Sequence, residues 1–187
     1  MVEYSKSFYR SLESPALNSA REVLPFLFQL FKPGSVVDVG CGTGEWLSVW
    51  QDLGIKDVLG IDFYAGDILK IPKTSFVQQN LSAPFTLPRT YDLAMSLEVG
   101  EHLPPESAEG FVGSLTSLSS VVLFSAAIPS QGGTGHVNEQ WPDYWALLFE
   151  KFGFVPIDWL DRYFGIIRKL LVITPKIRCS ISNEVWR

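Results

Sequence analysis

Within residues 35–53 an apolar run, Ser-Val-Val-Asp-Val, meets three glycines in five residues, Gly40-Cys-Gly-Thr-Gly44, and then the amphipathic stretch Glu-Trp-Leu-Ser-Val-Trp-Gln-Asp-Leu. That succession is a short buried strand, a turn whose backbone must come close to something, and a helix that offers its N-terminal amides to the turn. A second apolar run, Val58-Leu-Gly-Ile-Asp62, follows at once. A strand, a crossing helix and a strand imply a parallel pair, and parallel strands have to be covered on both faces. The fold class expected is therefore α/β, Rossmann-like, with a mostly parallel central sheet flanked by helices.

The rest of the chain continues the alternation. Ser14-Pro15 reads as a helix start, a capping hydroxyl followed by proline, and Pro25 should kink or divide the helix that runs to Phe31. Further strands are expected at 75–79, 91–97, 121–126 and 154–159, with helices at 104–118 and 140–152. Residues 1–160 form one core, and 161–187 a basic C-terminal segment. At 187 residues with 47% apolar and 19% charged side chains, disorder is excluded. No apolar run approaches a membrane span, and Met-Val-Glu-Tyr-Ser-Lys does not open like a secretory signal. Two cysteines, Cys41 and Cys179, make neither a disulfide framework nor a cysteine zinc site, so a cytoplasmic setting is expected.

Asp38 and Asp62 narrow the ligand of the glycine turn. Asp62 ends the second strand, where a carboxylate accepts from ribose hydroxyls. The spacing Gly-x-Gly-x-Gly differs from the Gly-x-Gly-x-x-Gly of dinucleotide sites, and Asp38 lies two residues before the first glycine. A pyrophosphate would be repelled there, whereas an amino-acid ammonium would be attracted. The ligand reads as a nucleoside carrying an amino acid.

Residues 36–44 resemble the first motif of the class I S-adenosylmethionine-dependent methyltransferases, and the resemblance extends over about residues 14–160. The chain is particularly similar to small bacterial methyltransferases through Ser96-Leu-Glu-Val-Gly-Glu-His-Leu-Pro-Pro105 and Gly132-Gly-Thr-Gly-His-Val-Asn-Glu-Gln-Trp-Pro142. The resemblance implies S-adenosyl-L-methionine as cofactor. Asp38, Gly40, Cys41, Gly42 and Gly44 would surround its methionine part, and Asp62 its ribose. Phe63 and Tyr64 would flank adenine, with Leu97 also on the cofactor. Asn80-Leu81 stands where the class usually has Asp-Leu; asparagine keeps one carbonyl acceptor for the adenine amino group.

Glu98, Glu101 and His102 fall at i, i+3 and i+4 after the fourth strand, and His136, the only other histidine, lies in a glycine-rich loop after the fifth. Both loops leave the sheet at the same edge. Two carboxylates and two imidazoles there suit Mg²⁺ or Mn²⁺ by their oxygens, and admit Zn²⁺ or Fe²⁺ by their nitrogens. The pattern resembles two metal-assisted O-methyltransferase families, one acting on the 2′-hydroxyl at the 3′ end of small RNAs and one on catechol-like quinone precursors. A similar Glu-Val-x-Glu-His also occurs in metal-free members of the class. In that case His136 or His102 serves as general base, with Glu101 shaping the loop. Asn138, Glu139 and Trp141 are expected to line the acceptor side. Tyr144 and Trp145 suit either a sugar face or packing on the sheet.

Charge divides the chain. Residues 1–159 hold nine Lys and Arg against eighteen Asp and Glu, and residues 160–187 hold six against two. An acidic body argues against a nucleic-acid groove. The basic tail, with Arg162, Arg168, Lys169, Lys176 and Arg178, is a solvated edge or a contact for an anionic partner. The class finishes with a strand inserted antiparallel between the fifth and sixth. Residues 169–174 are strand-like, although 164–171 also read as a short helix, so the slot is filled by a substitute strand, by a homodimer partner, or by a longer parent chain. The activity expected is O-methylation of a small polar metabolite or glycan hydroxyl. The alternatives are RNA 2′-O-methylation or a non-catalytic S-adenosylmethionine-binding module, and a nucleotide-dependent dehydrogenase is more remote.

Overall fold

The computed structural model describes residues 6–63, 68–157 and 171–175, with the side chains of 6–14 and 171–175 outside that description. The elements in chain order are α1 (Lys6–Leu30), β1 (Ser35–Val39), α2 (Glu45–Asp52), β2 (Asp57–Asp62), β3 (Phe76–Gln78), β4 (Leu93–Leu97), α3 (Ala108–Leu118), β5 (Val122–Ser125), α4 (Pro142–Lys151), β6 (Phe154–Ile157) and β7 (Leu171–Pro175). They form one seven-stranded sheet in the order β3-β2-β1-β4-β5-β7-β6. Strands β1 to β5 pair in parallel, and β7 runs antiparallel to both β5 and β6.

Alternate residues of the central strands feed two cores. On one face Val37, Val39, Ala94, Val122 and Phe124 pack with Phe111, Leu115 and Leu118 of α3 and with Trp145, Leu148 and Phe149 of α4. On the other, Val36, Leu93, Met95 and Leu123 pack with Ala20, Leu24 and Leu27 of α1 and with Leu47 and Trp50 of α2. The Trp50 indole N–H points at Met95 Sδ, 3.0 Å away, and the ring meets Phe28 edge-on. Period-2 burial in strands covered on both sides is what the near-continuous apolar runs required.

One expectation changes, one open alternative closes, and some element boundaries shift. The first helix does not begin at Ser14-Pro15; it begins at Lys6 and carries both Pro15 and Pro25 inside it. A proline removes one helical hydrogen bond, but Ala20, Val23, Leu24 and Leu27 are buried on either side of Pro25. That continuous apolar stripe holds the helix against α2 through the break. The open slot between β5 and β6 is filled from within the chain, by Leu171–Pro175, with Val172 opposite Leu123 on one side and Ile157 on the other. The strand reading of that region therefore holds at 171–175, whereas residues 164–170 and the basic side chains of the tail lie outside the described residues, as does Cys179. The helix expected at 140–152 is Pro142–Lys151, and that expected at 104–118 is Ala108–Leu118 behind a short 3₁₀ turn. Strands β3, β4 and β5 are each shorter than expected by one or two residues at an end, as is usual for element boundaries; residues 158–159 lie outside the described residues. Among the described residues no helix is long and apolar enough to cross a membrane.

Candidate active site

The carboxyl ends of β1, β2, β4 and β5 meet at one edge, and the loops leaving them bring together the residues the sequence singles out. The glycine turn is bound to the end of β2: the Gly40 and Cys41 amides both donate to the Ile61 carbonyl, at 2.7 and 3.2 Å, and the Gly42 amide donates to Asp62 Oδ2 at 2.8 Å. Gly40 (φ +85°) lies in the left-handed region, and a Cβ there would come within 2.3 Å of the Val99 side chain. The turn that carries the cofactor motif and the turn that carries Glu101 and His102 are thus packed directly together through a missing side chain. Gly40→Ala is expected to lower unfolding stability by about 2–4 kcal/mol, from a left-handed backbone and overpacking against Val99. Adding Val99→Ala should recover only the overpacking part. Denaturant melts of the single and double variants, with S-adenosylhomocysteine titrations, check this.

The floor of the turn is acidic and dry. Asp38, Glu45 and Asp62 are all buried, with Asp38 only 3% exposed. Burial, then the neighbouring Asp62 and Glu45, push the Asp38 carboxyl up to about 8. The same burial and the same carboxylates hold the Cys41 thiol well above its usual value, so it is an inert packing group. Thr43 donates its hydroxyl to Glu45 Oε1. An environment that strains to keep a carboxylate charged favours a cation beside it, which fits the ammonium and sulfonium of S-adenosylmethionine and disfavours a pyrophosphate. Phe63 is half exposed at the rim, Leu81 is buried, and Leu97 is partly buried under the turn. Asn80 is exposed, and its carbonyl oxygen accepts from the Ser82 amide at 3.0 Å. One of its two acceptor positions is therefore used in a local turn. Tyr64 lies outside the described residues.

The second constellation converges in part. Ligand atoms of Glu101, His102 and His136 lie within 4.8 Å of one another, and the two imidazole rings meet edge-on with centroids 4.9 Å apart. The loops are joined by backbone: the Glu101 carbonyl accepts from the amides of Val137 (2.9 Å) and Asn138 (3.0 Å). Glu101 is fully buried. His102 is held below its usual pKa by burial and by the neighbouring His136, and one of its ring nitrogens donates to the Gly135 carbonyl. A neutral ring with one nitrogen anchored leaves the other as an acceptor.

Glu98 is not part of this group. It takes a left-handed backbone (φ +57°), rare for a residue with a side chain, and it is exposed. Its amide donates to Ser125 Oγ; that hydroxyl donates back to Glu98 Oε1 at 2.8 Å, and the Gln131 amide reaches Oε2 at 3.2 Å. The i, i+3, i+4 spacing would project all three side chains together only from a regular helical turn. Here the helical turn begins at Gly100, after the left-handed Glu98, so the Glu98 carboxylate lies outside the three ligand atoms that meet within 4.8 Å, although its charge still reaches His102.

Sequence reasoning missed the partner of His136. Glu139, expected to face an acceptor, instead accepts from His136 Nδ1 through Oε1 at 2.8 Å. Its two oxygens also take the Ser130 and Gly132 amides, at 2.9 and 2.8 Å. The His136 bond, ahead of the two amides, holds the Glu139 carboxyl below the usual range. The i, i+3 spacing of His136 and Glu139 was the signal available. Trp145 settles as a core residue, 2% exposed, tilted against Phe124 (centroids 5.1 Å) and packed on Gly100. Trp141 and Val137 remain exposed beside the His136 loop.

The chemistry of the donor set fits a small divalent cation. Gly133 lets the loop backbone lie on the face of the His136 ring, where a Cβ would come within 2.3 Å of Nε2, 2.5 Å of Cε1 and 2.8 Å of Cδ2. One carboxylate and two imidazoles form the donor set.

Comparison with known proteins agrees with this geometry. A family profile described as a methyltransferase domain matches residues 14–165. The chain is similar in fold to a magnesium protoporphyrin IX methyltransferase (ChlM) from Synechocystis PCC 6803 with bound S-adenosylhomocysteine, at 19% identity and TM-score 0.63, over 93% of this chain and 90% of that one. It is similar to the methyltransferase domain of bacterial CtHen1, at 22% identity and TM-score 0.59, over 84% and 99% of the two chains. A SAM-dependent methyltransferase from Archaeoglobus fulgidus aligns at 21% identity and TM-score 0.60, over 76% and 69%. No curated protein sequence matches the chain. On the matched profile, the glycine turn and the sheet order, the chain belongs to the methyltransferase domain family, as a class I S-adenosylmethionine-dependent methyltransferase.

Proposed function

We propose that the protein methylates a hydroxyl of a small polar metabolite or sugar, and that Glu101, His102 and His136 hold a divalent cation beside the methyl donor. The observation that carries this reading is the meeting of those three ligand atoms, within 4.8 Å, at the sheet edge that also bears the glycine turn. A cation bound there would lower the pKa of a substrate hydroxyl and fix two neighbouring oxygens. With Glu98 outside the group, two of three donors are nitrogen, which shifts the preference from Mg²⁺ toward Mn²⁺, Fe²⁺ or Zn²⁺.

The chain's own residues divide the work. Asp38 and Asp62 attract the cationic donor, and Gly40 to Gly44 let it approach the backbone. Without a cation, His136, whose Nδ1 is held by Glu139, or His102 would instead be the base for the hydroxyl proton. Trp141 and Val137, both more than half exposed, give the acceptor an apolar face at the loop. Such a face suits the C–H side of a sugar ring.

The test is a label-transfer screen with methyl-labelled S-adenosylmethionine, against vicinal-diol sugars, catechols and a short RNA, with and without Mn²⁺. Transfer to a sugar or small diol, raised by Mn²⁺, is the expected result. Transfer to RNA alone, with strongly salt-dependent binding, would replace the substrate class by a ribose 2′-hydroxyl. Donor binding without transfer to any acceptor and without slow donor hydrolysis would reduce the protein to a binding module.

A further inference from the structure

The Glu139 carboxylate receives three donors at once. Oε1 accepts from His136 Nδ1 and from the Gly132 amide, and Oε2 accepts from the Ser130 amide. The two amides belong to a backbone that turns twice through the left-handed region, at Ser130 (φ +72°) and Gly132 (φ +69°). Ser130 has a side chain and pays for that conformation, so something must over-determine it. One carboxylate therefore fixes both the path of the loop and the ring that the loop carries. The ring is mostly buried, 12% exposed, while the carboxylate is 20% exposed.

A carboxylate only accepts, so the bond to Nδ1 places the proton on that nitrogen and leaves the lone pair on Nε2. With Nδ1 engaged by Glu139, Nε2 is the nitrogen left for the group that His136 forms with Glu101 and His102. The His102 ring meets it edge-on, with centroids 4.9 Å apart.

We propose that Glu139 is a positioning residue, which sets the tautomer of His136 so that Nε2 presents its lone pair to the site. The proposal rests on the reading of His136 as a working imidazole. It adds that this imidazole is not poised by itself: without Glu139 the proton is free to move to Nε2 and the ring to leave its place over Gly133. Carboxylates that orient a histidine in this way typically change metal affinity or activity by about 10–100-fold when removed.

With only two histidines in the chain, the tautomers can be read directly from long-range proton–nitrogen NMR spectra of the imidazoles. The spectra are taken above the imidazole titration range, with His136→Ala to assign the rings. The expected wild-type pattern for His136 is Nδ1–H. Glu139→Ala should move it toward Nε2–H and leave the His102 signals in place. Glu139→Gln keeps an oxygen for Nδ1–H but presents an NH₂ to the Ser130 amide, so it should retain the wild-type tautomer with a looser loop. A mere loop-bracing role would leave the tautomer unchanged in all three proteins, and that result overturns the proposal. So does a wild-type ring already in the Nε2–H form, which decides the matter even if Glu139→Ala fails to fold. Mn²⁺ titration of the same samples separates the two readings. Affinity weakened about 10–100-fold in Glu139→Ala and restored in Glu139→Gln supports both. Absence of Mn²⁺ binding in the wild type removes the cation from the proposed function, and the tautomer measurement still decides the role of Glu139.

Discussion

Saturating Mn²⁺ should raise the melting temperature of the wild-type protein bound to S-adenosylhomocysteine by about 5–10 °C, and His136→Ala should abolish that rise. The size follows from linkage: a ligand at about 100 times its dissociation constant stabilises the native state by about 2.7 kcal/mol. In a domain of this length each kcal/mol moves the melting temperature by about 2–4 °C. His136→Ala removes one of three ligand atoms that meet within 4.8 Å, and the other two cannot complete the donor set. The shift given by S-adenosylhomocysteine alone should survive, because the glycine turn and Asp62 follow β1 and end β2, whereas His136 lies in the loop after β5. Methyl transfer, once an acceptor is found, should fall by about 10²–10⁴-fold, the range for losing a positioned acid–base group. Glu98→Gln is the discriminating control. Its carboxylate is occupied by Ser125 and Gln131, so at least half of the Mn²⁺ rise should remain. A complete loss in Glu98→Gln would mean that Glu98 joins the ion as a fourth ligand. A wild-type protein stabilised by S-adenosylhomocysteine but by no metal would leave His136 or His102 as a simple base.

The parts of this molecule that were legible in its sequence are those decided locally. Buried parallel strands need continuous apolar residues, and a close backbone approach needs glycine, so residues 35–62 could be read as strand, turn, helix and strand. The histidine in the glycine-rich loop and the Glu-His pair after β4 could be placed at one edge, because the strand order of such a sheet puts those two loops side by side. What could not be read was the direction of individual side chains. Glu98, Glu101 and His102 have helical spacing, but the left-handed backbone at Glu98 sets its carboxylate apart from the 4.8 Å group that the other two form with His136. Glu139 reads as a polar residue facing an acceptor until the loop folds back and puts its carboxylate against His136 Nδ1. Ser14-Pro15 carries a good local start signal that tertiary packing overrides, since α1 gains more from lying along α2 than it loses at a proline. The inserted strand was ambiguous for a similar reason. Leu-Leu-Val-Ile is equally apolar in a strand or a helix, and only the vacant position between β5 and β6 selects the strand.

Asp38→Asn should flatten the pH dependence of stability of the ligand-free protein between about pH 4 and pH 8. An ordinary aspartate titrates near 3.8, whereas burial and the neighbouring Asp62 and Glu45 push Asp38 up to about 8 in the folded chain. Between those values the folded protein holds a proton that the unfolded chain has released. Stability therefore falls as pH rises, by at most about 1.4 kcal/mol per pH unit from this group. The contribution is fully present below the unfolded value and is lost by the time the pH passes the folded one. Over the whole window the loss amounts to several kcal/mol. Asparagine keeps the shape and has no proton to lose, so its unfolding free energy should stay level where the wild type declines, and it should be the more stable protein above about pH 8. Binding works in the opposite direction. S-adenosylmethionine brings an ammonium and a sulfonium, which favour the ionised carboxylate, so its affinity for the wild type should climb with pH up to about 8. The affinity of Asp38→Asn should be weaker and nearly independent of pH over the same range. Denaturant melts and donor titrations at about pH 5, 7 and 9 measure both curves. Parallel stability curves for the two proteins would mean that Asp38 is already ionised in the folded, ligand-free chain. An ionised Asp38 would then attract the cationic donor over the whole range, and the affinity of the wild type would not climb with pH.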